Sequence, residues 1–298
     1  MFRIQQVTST STFLKSYFLN ALTQLEWRPG EEDVECFLSC DPTGLYVGEI
    51  NGKPIGTVSI LKYGEGYCHF DGYIVEKEYR KQGFGRQLFD TALKKSAPVK
   101  NLSLYAVPEM VAKYEASLGA VRQWSAVEYE ISLPKAIHAL QNSPVRHVVE
   151  IKRTNEVDLQ ALYDYDTSVF GYKRHPFVNK WLHAKGAHAR VAIDRGVVVG
   201  YIAVRPAFNR EEGYRVGPLF SNSMEVAKSL LQATFEEIRE QGISSSESVF
   251  IECPEINKEA KELITLLKGR SVTTFEYMTT NGLPRGHFNH WYAITLAG

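Results

Sequence analysis

Cysteine is scarce in this chain of 298 residues, with four in all: Cys36, Cys40, Cys68 and Cys253. So few thiols exclude a disulfide-built scaffold and predict reduced, buried side chains. Cys36 and Cys40 fall four apart on one predicted helix, but no further ligand pair stands near them. The pairs His287/His290 and His183/His188 are no better placed, so no metal site is expected. Net charge is absent as well, because 34 Lys and Arg balance 34 Asp and Glu. A balanced chain lacks the basic footprint of a nucleic-acid binder or a polybasic membrane patch, so neither partner is expected. No apolar run approaches the roughly 18 residues needed to span a bilayer. The first twenty residues lack the apolar core and cleavage site of a secretory signal, which leads us to expect a cytoplasmic protein. What is present is ordinary for a globular protein: 44% hydrophobic and 12% aromatic residues, at a length that suits two domains.

Against that background one stretch stands out, Tyr79-Arg80-Lys81-Gln82-Gly83-Phe84-Gly85-Arg86. An apolar strand pattern, Phe70 to Val75, precedes it. An amphipathic helix pattern, Gln87 to Lys95, follows, with Leu88, Phe89, Ala92 and Leu93 on one face. A strand that turns through two glycines into a helix start makes an anion site. The first-turn N–H groups have no helical acceptor, and the helix dipole adds partial positive charge. Gly83 and Gly85 permit close approach to the backbone and tolerate positive φ. Arg80, Lys81 and Arg86 add cationic side chains. The dinucleotide fingerprint fails because Leu88 stands where a third glycine belongs, and the P-loop pattern fails too.

The elements around this loop have a definite order. Helical patterns over Ser9–Gln24 and from Gly30 through Leu38 come first. Strands Leu45–Ile50 and Pro54–Leu61 follow, joined at Asn51-Gly52, a strong hairpin signal. Then come strand Tyr67–Val75, the loop and its helix, strand Asn101–Val107, helix Glu109–Leu118 closed by Gly119, and strand Val127–Leu133. The loop pattern R-x-x-G-x-G in this order of elements resembles the GCN5-related N-acetyltransferases (GNAT superfamily), which bind acetyl-CoA through such a pyrophosphate loop.

The second half repeats the plan at an offset of about 145 residues. Gly196–Ile202 echoes Gly52–Val58, Gly217–Phe220 stands where Gly72–Val75 does, and Cys253-Pro254-Glu255 repeats Val107-Pro108-Glu109. The loop itself is not repeated, since Glu225 to Leu230 reads as plain helix. We therefore expect an N-terminal acetyl-CoA-binding domain at residues 1–135 and a loop-less C-terminal domain at 145–298. The linker is predicted over Lys135–Pro144, with His147–Ile151 opening the second domain. The runs Trp27–Asp33, Tyr163–Gly171, Val204-Arg205-Pro206 and Gly213–Leu219 are similar to a tandem subgroup of the same superfamily. The expected fold class is α/β (α+β): two tandem acyl-CoA N-acyltransferase folds, each a mixed, mostly antiparallel sheet flanked by helices.

The resemblance implies chemistry. The donor's pantetheine arm would lie between strands 70–75 and 101–107, against main-chain groups near Tyr73, Ile74 and Val75. The loop Arg80, Lys81, Gln82, Gly83, Phe84, Gly85 and Arg86 would hold the pyrophosphate. A primary amine would attack the acetyl group directly in a ternary complex. Tyr114 is the family's usual place for a general acid, although one extra residue before Gly119-Ala120 turns its helical position by about 100°. His69, Asp71 and Glu49 are candidates for the base. His69 stands where the wider family uses a carboxylate, Asp71 alternatively shapes a bulge at Gly72, and Glu49 is expected to face solvent. Strand alternation predicts His69, Asp71, Tyr73 and Val75 on one face. In the second half Asp166, Arg174, Arg205, Tyr214 and Arg215 form a polar set, either as structural ion pairs or as an anion-binding pocket. A small amine and a protein lysine both remain possible acceptors. A non-catalytic acyl-CoA-binding module and a protein-interaction scaffold are the rival readings.

Overall fold

The computed structural model describes the chain except residues 98, 144, 146–148, 242–245 and 296–298. The first half runs β1 (Phe2–Gln6), α1 (Thr12–Thr23), α2 (Asp33–Cys40), β2 (Leu45–Ile50), β3 (Lys53–Tyr63), β4 (Tyr67–Val75), α3 (Phe84–Ser96), β5 (Asn101–Ala106), α4 (Val111–Leu118), β6 (Val121–Ser132) and α5 (Leu133–Gln141). The second half runs β7 (Glu150–Lys152), α6 (Leu159–Phe170), α7 (His175–Leu182), β8 (His188–Asp194), β9 (Val197–Pro206), β10 (Tyr214–Ser221), α8 (Met224–Gln241), β11 (Ser248–Pro254), α9 (Lys258–Leu266), β12 (Arg270–Thr279) and β13 (Trp291–Ala293). Each half is a mixed, mainly antiparallel sheet flanked by helices.

The halves share one sheet, in the order β1-β2-β3-β4-β5-β12-β6-β11-β10-β9-β8-β7, with β13 pairing off this path to β10. Strand β12 of the second half lies between β5 and β6 of the first, antiparallel to both. In return, β6 lies between β11 and β12 and pairs Ala126–Ser132 with Pro254–Ser248. Each half thus lends a strand to the other. An exposed strand edge leaves unpaired N–H and C=O groups, and the exchange satisfies two such edges at the middle of the molecule.

Helices complete the joint. Phe37 of α2 stacks on Trp181 of α7, with centroids 6.5 Å apart. The run Trp27–Asp33 packs into the second half, where buried Asp33 pairs with buried Arg205. The Arg205 guanidinium lies 3.8 Å from the Trp181 ring centroid, and the Phe208 N–H donates to the Pro29 carbonyl at 2.7 Å. Removing one member of such a buried pair strands the other charge, at a cost of about 3–5 kcal/mol.

Several expectations need correction. The predicted linker from Lys135 is helix α5, whose Leu133, Ala136, Ile137 and Leu140 recur at i, i+3, i+4, i+7 and are buried with α8. Pro144, His147 and Val148 lie outside the described residues. Strand β1 has no counterpart in the predicted order, and it pairs along β2. Strand β6 begins at Val121, six residues before the expected start. Helix α4 is shorter than predicted, with a 3₁₀ turn over Pro108–Met110 in front of it. It closes on Gly119 at φ 64°, the left-handed cap position.

Candidate functional site

Strands β4 and β5 pair in parallel only from Tyr67–Phe70 to Asn101–Leu104. Past Phe70 they diverge. The cause lies in β4, where Gly72 takes φ +57° and the ladder to β3 shifts between Thr57 and Ser59. The Gly72 N–H donates to Asp71 Oδ1 at 2.7 Å, and Thr57 Oγ1 donates to the Gly72 carbonyl at 2.6 Å. This bulge inserts one residue and reverses the alternation. Tyr67 and Ile74 therefore belong to the cluster beneath α1 and α2, while Cys68, Phe70, Tyr73 and Val75 pack with α3. The expected single face for His69, Asp71, Tyr73 and Val75 is thus broken at Gly72.

The loop after β4 leads directly into α3. Gly83 sits at φ +86° with open space where a Cβ would project, so its backbone conformation is what calls for glycine. Gly85 is needed for proximity, since a Cβ there would stand 2.8 Å from Tyr73 Oη and 3.2 Å from Val75 Cγ2. Lys81 holds φ +62° without being glycine, and strained backbone of this kind gathers at functional loops. The Gln87 N–H bonds to the Gly83 carbonyl at 3.2 Å, which leaves the amides of Phe84, Gly85 and Arg86 with no helical acceptor. Arg80 Nε donates to the Val75 carbonyl at 2.8 Å and ties the loop to the strand end. Outward amides, a helix start and cationic side chains fit a pyrophosphate.

A cavity of about 1030 Å³ begins at this loop and passes into the gap between β4 and β5. Tyr73, Ile74, Val75, Arg80, Lys81, Gly83, Gly85 and Arg86 line it, whereas Gln82 and Phe84 do not. The Gln82 amide donates to the Glu78 carbonyl at 2.8 Å, and the Phe84 ring packs on Phe2. Asp71 and Tyr114 line the same cavity. Burial pushes the Asp71 carboxyl up to about 7, against the opposing pull of the Gly72 N–H and Arg215. Tyr114 is the buried residue of α4, packed edge-on to Phe70 at 6.1 Å and against Phe89. Burial raises its hydroxyl above the usual tyrosine range, so it keeps its proton. The extra residue before Gly119 does not turn Tyr114 away from the cavity.

His69 stands elsewhere. It is fully buried, Nδ1 pairs with Ser103 Oγ at 2.8 Å, and its ring meets Tyr105. Burial drives its imidazole down to about 3, which keeps it neutral and a poor base near pH 7. It does not line the cavity. Glu49, expected at the surface, is buried in β2, also away from the cavity.

Sequence reasoning singled out only Asp71 and Arg215 at the far end of this cavity and missed the rest. Arg28, Glu128, Glu252, Arg215 and Tyr105 line it together with Asp71. Arg28 Nη1 donates to Glu128 Oε2 at 2.8 Å, and Arg215 Nη2 donates to Glu252 Oε2 at 2.6 Å. Burial pushes the Glu252 carboxyl up to about 7, countered by Arg215 and reinforced by Glu128 and Asp71. A signal was present, because Glu128 and Glu252 interrupt apolar strand runs. Their meeting was invisible, since it depends on the strand exchange. The arginines of the polar set are held in ion pairs. Arg174 bonds to Asp166 at 2.9 Å, Arg205 pairs with Asp33, and Arg215 pairs with Glu252.

The corresponding gap in the second half is filled. Strands β10 and β11 pair only over Tyr214–Val216 and Val249–Ile251. Beyond that, β13 enters, matching Leu219 with Ala293 and Phe220 with Trp291, while the Ile294 N–H donates to the Glu252 carbonyl. Trp291 is buried there against Phe170 and Phe220. The segment aligned with the loop is an ordinary part of α8.

Comparison with known proteins accords with this geometry. The acetyltransferase (GNAT) family model matches residues 13–118, and a second acetyltransferase (GNAT) domain model matches residues 162–293. A holothin acyltransferase from Pseudoalteromonas sp. (strain SANK 73390) is 27% identical over 213 residues, covering 72% of this chain and 68% of its own. A crystal structure of a protein from Pyrococcus horikoshii, described as a putative acetyltransferase, superposes with TM-score 0.76 at 21% identity, over 99% of this chain and 95% of that one. A tandem GNAT protein from the clavulanic acid biosynthesis pathway, solved without acetyl-CoA, superposes with TM-score 0.66 at 16% identity, over 94% and 98%. The chain is therefore an acyltransferase of the GNAT superfamily, with two such domains in tandem.

Proposed function

We propose that the protein transfers an acetyl group from acetyl-CoA to a primary amine, by direct attack in a ternary complex at the first half's cavity. One observation carries this reading: the phosphate loop, Asp71 and Tyr114 line a single cavity that opens along the split between β4 and β5. Acetyl-CoA supplies an activated thioester carbonyl. Arg80, Lys81, Gly83, Gly85 and Arg86 would hold its pyrophosphate, and the open edge of β4 at Tyr73, Ile74 and Val75 would hold its arm. An amine with an ordinary ammonium pKa near 10.4 must lose a proton before attack. Asp71 takes that proton, and a carboxyl near 7 suits the task at neutral pH. As the new C–N bond forms and the C–S bond breaks, Tyr114 gives its proton to the departing thiolate. A free strand amide of β4 is the natural oxyanion donor. The second half binds no donor in this reading, because β13 fills its gap. An acetyl-CoA donor and four free thiols suit a cytoplasmic setting.

A non-catalytic acyl-CoA sensor would need neither the raised carboxyl nor the protonated phenol beside the thioester position. The relative's name identifies its acceptor as holothin, which favours a small-molecule amine over a protein lysine here. The test is CoA-thiol release from acetyl-CoA in the presence of primary amines, with wild type beside Asp71→Asn and Tyr114→Phe. Turnover lost in both variants with acetyl-CoA affinity retained supports the reading. Amine-independent behaviour, or equal rates in all three proteins, refutes it.

A further inference from the structure

The polar residues at the far end of the cavity come from six adjacent strands. Asp71 (β4), Tyr105 (β5), Thr273 (β12), Glu128 (β6), Glu252 (β11) and Arg215 (β10) follow the strand order across the joint between the halves. Arg28, from the loop between α1 and α2, joins them. Glu128 and Glu252 are direct cross-strand partners. Like charges in that position destabilise a sheet, so each is matched by its own arginine.

The balance of charge and of hydrogen bonds indicates what this end accepts. Within the belt three carboxylates (Asp71, Glu128, Glu252) face two guanidiniums (Arg28, Arg215), and the exposed Glu26 beside Arg28 adds a fourth carboxylate to the lining. Glu128 and Glu252 hold the arginines, whereas among the described residues Asp71 forms no ion pair, feeling Arg215 only at longer range and accepting one hydrogen bond from Gly72. A cationic amine is therefore drawn in, and an acidic group is repelled. Two buried polar atoms on these belt residues lack a hydrogen-bond partner among the described residues. One is Nε of Arg28, a residue only 7% exposed, and the other is the Tyr105 hydroxyl. The first is an obligate donor and the second can donate, so a ligand oxygen would satisfy them. Leu25, Trp27, Val272 and Phe275 supply an apolar wall beside them.

Resting on the acetyl-transfer reading above, we propose that this belt is the acceptor subsite and that it selects a particular class of amine. The acceptor is a primary amine on a small apolar or aromatic body, bearing an uncharged oxygen acceptor and no acidic group. The amine lies at Asp71 and the neutral oxygen at Arg28 Nε and Tyr105 Oη. Glu252, lent by the second half, determines specificity by neutralising Arg215, which would otherwise bind an acceptor carboxylate bidentately.

The test uses three matched amines at pH 8 with saturating acetyl-CoA: L-phenylalaninamide, L-phenylalanine and phenethylamine. In wild type the amide is expected to exceed the acid in kcat/KM by about tenfold or more. In Glu252→Gln that preference falls by about tenfold, because Arg215 is released to the carboxylate. Comparing the same two amines across the two proteins cancels their difference in basicity. Arg28→Lys keeps the charge but removes the Nε donor, and should slow the amide more than phenethylamine, which has no oxygen to place there. Equal or reversed preference in wild type overturns the proposal. So does an unchanged preference in a Glu252→Gln protein that melts and binds acetyl-CoA like wild type. If Glu252→Gln does not fold, the wild-type ratio and Arg28→Lys still decide. Normal acetyl-CoA binding with no turnover of any of the three overturns the acceptor assignment alone. Absence of acetyl-CoA binding overturns the donor reading beneath it as well.

Discussion

Asp71→Asn separates a catalytic carboxylate from a structural one, because the two roles predict opposite signs for stability. The Asp71 carboxyl is raised from an ordinary 3.8 to about 7, chiefly by burial. Between these values the unfolded chain has released the proton while the folded chain holds it, so stability falls as pH rises from about 4 to about 7. Above that window the folded state carries the whole cost of a buried carboxylate. Three units at about 1.4 kcal/mol each set a ceiling near 4 kcal/mol, and solvent entering the cavity lowers the expected gain to about 1–3 kcal/mol. Asparagine keeps an Oδ1 that accepts from the Gly72 N–H, so the bulge survives. The variant should therefore resist urea better than wild type at pH 8 and match it at pH 4. Its acetyl transfer should fall by about 10²–10⁴-fold, as expected for loss of a general base. The wild-type rate should rise with pH through about 7 and then level. Glu252, Glu128, Arg28, Arg215 and Tyr105 face the same space, so a midpoint shared between Asp71 and Glu252 is expected. Paired urea melts and pH–rate profiles make the check. A variant that is less stable at pH 8, or that turns over within about threefold of wild type, would refute the argument.

Other predictions follow from the same geometry. Tyr114→Phe should lower kcat by about 10–100-fold with unchanged acetyl-CoA affinity, measured by steady-state kinetics beside calorimetry, because the phenol acts on the leaving thiolate. His69→Gln should leave the pH–rate midpoint unmoved, since the imidazole lies outside the cavity and is neutral near pH 7; a shifted midpoint would return it to the list of bases. Gly85→Ala should weaken acetyl-CoA binding more than Gly83→Ala, because only the Gly85 methyl collides with Tyr73, whereas Gly83→Ala should cost about 1–2 kcal/mol of stability for its left-handed backbone. Trp291→Ala should cost about 3–5 kcal/mol in a denaturant melt yet open no second donor site, because α8 carries no phosphate loop.

Local signals in the sequence carried much of the fold. Asn51-Gly52 marks the turn between β2 and β3, Gly119 caps α4, and the run Arg80–Arg86 marks the approach to α3. Each depends on a few neighbouring residues and their backbone preferences. Features set by distant strands were not legible. Alternation along β4 was misjudged because one positive-φ glycine reverses it. The apparent linker contains a helix because Leu133, Ala136, Ile137 and Leu140 find their partners on α8, a hundred residues away. Within the site, the loop was found from local pattern and Tyr114 from the family resemblance. Glu128 and Glu252 could be seen only as charges inside apolar runs, and their pairing needs β6 and β11 to exchange across the halves. The gap filled by β13 has the same origin, since nothing near Trp291 announces which strand it will join.

Calorimetric titration with acetyl-CoA reads the donor site itself, using wild type and a Gly83→Glu, Gly85→Glu double variant. One molecule is expected to bind per chain, with affinity lost in the variant while its melting behaviour shows a folded protein. Two molecules per chain would contradict the assignment of the donor site to the first half alone. A folded wild type that binds none, or a variant that binds as well as wild type, would contradict the phosphate loop as the donor site.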